Sequence, residues 1–180
     1  MDLGNLGGVI NNYAAGINSR GEVIGSSDLA GNATGHAFLW TKHKGMQDLG
    51  TLSGDVSSSA FGINEEGQVV GVSCDASGNC RAFLWQDGVM TDLNTLVCQG
   101  TSLYLTYGGD INDRGEIAGE GYDPNTGDTP AFLAVPSHGR GHCKAGSSVA
   151  QKIIRPENVR EQLRQRRGFG RFGAGLMRPQ

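Results

Sequence analysis

Proline is scarce in this sequence, at 5 of 180 residues, and no apolar run approaches the roughly 18 residues that a membrane-spanning helix requires. The first absence, beside 30 glycines that follow no Gly-X-Y period, excludes a collagen-type chain, and the second leaves no membrane span. No signal-peptide pattern opens the chain. Phosphate loops, Gly-x-Ser-x-Gly elbows, His-Glu-x-x-His helices and Cys-x-x-Cys pairs are missing as well, so no catalytic residue and no cofactor is expected. What is abundant is glycine, and a turn-dense chain of this length points to one all-β domain with a sizeable core.

The net charge of −3 hides a segregation. Residues 1–150 carry 7 Lys and Arg against 16 Asp and Glu, whereas residues 151–180 carry 8 against 2, so an acidic body bears a basic tail.

Three landmarks recur in one order. Gly16-Ile17-Asn18-Ser19-Arg20-Gly21-Glu22 returns as Gly62-Ile63-Asn64-Glu65-Glu66-Gly67-Gln68 and as Asp110-Ile111-Asn112-Asp113-Arg114-Gly115-Glu116, at spacings of 46 and 48. His36-Ala37-Phe38-Leu39-Trp40 returns as Arg81-Ala82-Phe83-Leu84-Trp85 and Pro130-Ala131-Phe132-Leu133-Ala134. An Asp-Leu step falls at Asp2, Asp48 and Asp92. A shared order and a nearly constant period identify tandem copies, at about 1–45, 46–89 and 90–136.

Each copy reads as about four short antiparallel strands. In Ile-Asn-x-x-Gly-Glu/Gln the Asn side chain accepts hydrogen bonds from the turn's own backbone, and Gly67 supplies positive φ before Val69-Val70 returns. A second hairpin joins Val70–Cys74 to Arg81–Trp85 through Asp75-Ala76-Ser77-Gly78-Asn79, and a short strand covers Val89 to Leu93. The expected fold is therefore all-β: tandem four-stranded antiparallel repeats of β-propeller-blade size, a partial propeller, with a β-trefoil as the alternative. Met1–Leu6 matches Met46–Leu52, which closes one unit and opens the next, so the natural protein is expected to start upstream, as the end piece of a longer array. Residues 137–154 read as a linker, and 155–180 as a short basic helix from Pro156 followed by a Gly-Phe-Arg-rich disordered tail.

The linked motifs Asp-Leu-Gly-Thr-Leu, Ile-Asn-x-x-Gly-Gln-Val-Val-Gly and His-Ala-Phe-Leu-Trp resemble the bacterial extracellular repeat proteins named HAF after the His-Ala-Phe step, over residues 1–136. The resemblance implies export, to an extracellular or periplasmic location, a propeller-like fold and no catalytic residues. Only the first copy keeps the histidine, at His36; Arg81 and Pro130 replace it, so it is no essential ligand in every unit.

Four cysteines allow three complete pairings. Cys74 and Cys80 flank the second hairpin and are expected to bridge across it, which pairs Cys98 with Cys143 by elimination; disulfides fit an oxidising compartment. His138, His142 and Cys143 form a zinc candidate without a fourth ligand, and a linker is the preferred reading. Asp75, Asp123 and Asp128 sit in loops with calcium-like oxygen spacing, but hairpin turns account for them better. Trp40, Trp85, Tyr104 and Tyr107 are the candidate sugar-stacking aromatics, with core packing as the competing role. Asn32-Ala33-Thr34 fits a glycosylation sequon. The Arg-rich tail is read as solvated, which makes nucleic acid a disfavoured partner. The functional expectation is a non-enzymatic exported scaffold or surface-binding module, with a cell-surface or carbohydrate ligand and self-association through exposed edges; a hydrolase or lyase with a carboxylate cluster is the alternative.

Overall fold

The computed structural model describes residues 1–97 and 102–136. They form three antiparallel sheets, each a meander of strands in sequence order. The first holds β1 (Gly7–Ile17), β2 (Val23–Leu29), β3 (Gly35–Thr41) and β4 (Gly45–Asp48). The second holds β5 (Ser57–Ile63), β6 (Val69–Cys74), β7 (Cys80–Gln86) and β8 (Val89–Asp92). The third holds β9 (Tyr104–Ile111), β10 (Ile117–Tyr122) and β11 (Ala131–Ala134). By pairing, the sheets divide a few residues after the boundaries expected from the motifs, because β4 and β8 close the sheet before them.

Among the described residues the third sheet has three strands where four were expected, and these residues end at Pro136, two positions after β11. Leu93 also departs from expectation: it opens a 3₁₀ turn, Leu93–Thr95, capped by Asp92, whose side chain accepts from the Asn94 N–H. The expected C-terminal helix, the linker, His138, His142, Cys98 and Cys143 lie outside the described residues.

The sheets stack, each burying one face against the next. Ile24, Ala37 and Leu39 of the first meet Val69 and Phe83 of the second, with Leu49 and Leu52 of the crossing segment between them. Val70 and Ala82, on the second sheet's opposite face, meet Ile111, Ile117 and Phe132 of the third. The middle sheet is thus covered on both sides, and every residue of β6 is buried. The first strands β1, β5 and β9 lie beside one another.

One glycine in each copy is fixed by this packing. Gly25, Gly71 and Gly119 pair with Phe38, Phe83 and Phe132, whose rings lie over them. A Cβ on any of the three would run into a carbonyl of the neighbouring strand, at Tyr13, Ser59 and Tyr107 respectively. A bulge stands beside each of these contacts.

The Asn turns do more than close hairpins. Asn64 Oδ1 accepts from the N–H groups of Glu66 (3.1 Å) and Gln68 (3.0 Å), while Gly67 has φ of 77°. Asn64 Nδ2 donates across the sheet interface to the carbonyl of Asn112 at 3.1 Å, and Asn18 Nδ2 donates likewise to Asn64 at 3.0 Å. A second rung runs alongside: Ser19 donates its N–H and hydroxyl to the Glu65 carboxylate, and the Glu65 N–H donates to Asp113 Oδ1 at 3.0 Å.

Two consequences are measurable. Asn64 is 3% exposed, so Asn64→Ala strands several buried groups and should lower urea-derived stability by about 2 kcal/mol, more than Asn112→Ala at the exposed end of the ladder. The Ser19 hydroxyl and N–H hold the Glu65 pKa below its ordinary value, so the stability this rung contributes is present above the normal carboxylate range and is lost as pH falls through the lowered value. Urea titrations across acid pH should show Glu65→Gln flattening that slope.

Candidate functional site

The position that gives the motif its histidine makes a structural hydrogen bond. His36 Nδ1 lies 2.9 Å from Asp48 Oδ1, an arrangement that places the ring proton on Nδ1. Arg81, at the same place in the second sheet, reaches Asp92 at 3.0 Å, and Asp92 is the counterpart of Asp48. Arg81 also pairs with Asp55 at 2.9 Å and donates to the Ser53 carbonyl. Burial works against its charge, but Asp55 and Asp92 outweigh that and raise its pKa. In both sheets an N–H donor on the third strand thus holds the Asp that ends the fourth.

The disulfide joins Cys74 to Cys80, across a directly opposed pair of β6 and β7. Its loop is held by Asp75, 6% exposed, whose Oδ1 accepts from Ser77 and Asn79 N–H groups and whose Oδ2 accepts from Asn79 Nδ2. Asp123 Oδ1 accepts from the Asn125 N–H, and the Asp128 N–H donates to Thr126 Oγ1. Among the described residues no three His, Cys, Asp or Glu side chains converge on a metal position.

The candidate aromatics are dispersed. Trp85 packs half-buried against the first interface core, Tyr104 is buried, and Trp40 is half-buried on the first sheet. Tyr107 stacks on Phe61 with ring centres 4.8 Å apart, over Val72 and the disulfide.

That last contact marks a difference between the two sheet junctions. By register, Tyr107 corresponds to Ser59 in the second copy, and Phe61 corresponds to Ala15 in the first, where each occupies the bulge. Two aromatic rings therefore fill the junction of the second and third sheets, whereas Ser59 and Ala15 stand at the matching register positions of the second and first. A cleft of about 450 Å³ lies at the junction of the first and second sheets, lined by Ile10, Asn11, Asn12 and Tyr13 of β1, Ser26 and Asp28 of β2, Gly35, and Ser57, Ser58 and Ser59 of β5.

Its frame is held by internal bonds. Asp28 Oδ2 accepts from the Asn11 N–H at 2.9 Å and from Asn11 Nδ2 at 3.0 Å; Asn12 Oδ1 accepts from the Ser27 hydroxyl at 2.6 Å. Ser58 is tied to Ala37 and Gly50. Tyr13, Ser57 and Ser59 add further hydroxyl-bearing residues to the lining. A neutral polar lining with one carboxylate, one phenol ring and one aliphatic side chain matches a polyhydroxylated ligand, whose hydroxyls hydrogen-bond while a C–H face packs on the apolar groups. None of the aromatics expected from the sequence lines this cleft. The signal that could have pointed to it is the divergence of Asn11-Asn12-Tyr13 and Ser57-Ser58-Ser59 at equivalent positions within otherwise repeated copies.

No protein-family model, curated protein or solved structure matches the chain.

Removing the cation that holds two carboxylates should be costly. Arg81→Leu leaves Asp55 and Asp92, 4% and 7% exposed at their side chains, without their partner and should destabilise by about 3 kcal/mol, read by urea unfolding. Arg81→His, the first copy's solution, should recover part of the loss.

Proposed function

We propose that this protein is an exported, non-enzymatic β-repeat module of the HAF type that binds carbohydrate in the cleft between its first two sheets. The observation that carries the proposal is the cleft between β1 and β5, whose lining includes the hydroxyl- and amide-bearing residues Asn11, Asn12, Ser26, Ser57, Ser58 and Ser59. Export is supported by the Cys74–Cys80 disulfide, which suits an oxidising compartment. Among the described residues no helix is long and apolar enough to cross a membrane. A propeller-type arrangement is favoured because each copy forms its own meander and the first strands lie side by side, whereas a trefoil would share each copy's strands between a barrel and a cap.

Nothing in the cleft favours the hydrolase or lyase alternative. The cleft's carboxylate, Asp28, is engaged by the Asn11 N–H and side-chain amide rather than set opposite a second carboxylate of the lining, as a hydrolytic pair would be.

Affinity electrophoresis through gels containing soluble polysaccharides, backed by a glycan array, tests the reading. The wild-type chain should be retarded by at least one glycan class. Ser59→Tyr, which reproduces the third copy's residue and fills the space, should weaken binding at least tenfold while leaving the melting temperature unchanged, and Tyr13→Ala should weaken it too. Retention of binding by Ser59→Tyr, or the absence of binding to any glycan, would refute the assignment.

A further inference from the structure

The interface between successive sheets uses one set of positions twice. Ile24, Ala37 and Leu39 on the first sheet, and Val70, Ala82 and Leu84 on the second, face forward into the next copy. Their counterparts on the third sheet are Ala118, Ala131 and Leu133, by position in the aligned strands. All three are exposed, Leu133 at 66%. The hydrogen-bond ladder stops at the same end. Asn18 and Asn64 are buried and donate forward, whereas Asn112 is exposed and its Nδ2 donates only to its own turn, to Glu116 Oε2.

The opposite end of the stack offers the complement. On the second sheet the backward face places Ile63, Trp85 and Met90 against the copy before it. The first sheet presents the matching residues Ile17, Trp40 and Met46 outward, Ile17 at 68% exposure. The Asn18 carbonyl accepts from the Gly21 N–H, as the Asn64 carbonyl does from Gly67, and Asn64 shows that this carbonyl accepts a second, intersheet bond as well.

We propose that the chain stacks head to tail on a second copy of itself, the outer face of the third sheet docking on the outer face of the first and Asn112 continuing the ladder onto Asn18. The interface already built twice within the chain is the warrant: forward and backward faces are complementary by repetition, and a residue of each, Leu133 and Ile17, is exposed in this chain. Such a contact is heterologous, so it either closes into a ring or extends. The proposal is independent of the cleft and of any glycan.

Sedimentation velocity of the full chain over about a hundredfold range of concentration tests it. The weight-average mass should rise with concentration. Leu133→Glu spoils the forward face and Ile17→Glu the backward face, both at exposed positions, and each should hold the chain monomeric with unchanged circular dichroism. Mixed, the two variants retain one intact face each and should form a one-to-one dimer. A wild-type chain that stays monomeric throughout, a single variant that still self-associates, or a mixture that fails to pair would overturn it.

Discussion

Every sheet in this protein is joined to the next by an asparagine that serves two structures with one side chain. Its carbonyl oxygen closes the local turn by accepting two backbone N–H groups, and its amide crosses to the same turn of the following copy, from Asn18 to Asn64 and from Asn64 to Asn112. A buried amide with this many partners is satisfied only when the neighbouring copy stands at one height and one rotation. The ladder therefore sets the stacking register that the apolar faces alone would leave free to slide.

Given that register, the remaining features follow. Four short strands cannot bury both faces of a meander, so each sheet relies on its neighbours, as the wholly buried β6 shows from the middle of the stack. The Gly–Phe pairs keep each sheet thin enough for Leu49 and Leu52 to lie in the first interface. The His36–Asp48 and Arg81–Asp92 pairs fasten the short fourth strand, which has one hydrogen-bonded neighbour only. At the bulge of the second sheet Phe61 meets Tyr107 of the third, while a cleft lies between β1 and β5 at the first junction.

The parts governed by local chemistry were legible in the sequence. The turn half of Ile-Asn-x-x-Gly, the hairpin between β6 and β7 and the Cys74–Cys80 bridge all depend on residues within a few positions of one another. The all-β class followed from the same turns. What was not legible depends on register between distant strands. The amide half of Asn64 acts over a separation of 48 residues, and the pairing of Arg81 with Asp55 and Asp92 needs two strands and a crossing segment in place. The cleft was not legible because its lining brings together β1, β2 and β5 residues as far apart as Ile10 and Ser59. That the third sheet shows three strands among the described residues was not legible from a motif that repeats through Phe132 and Leu133 and loses its Trp at Ala134.

The central claim, that side-chain amides of the turn asparagines bond across the sheet interfaces, is tested most directly by NMR exchange of the individual Nδ2 protons. The account predicts that Asn18 and Asn64 each show slowly exchanging side-chain amide protons, far slower than those of Asn125 in its exposed loop. Exchange at Asn18 and Asn64 as fast as at Asn125 would contradict it.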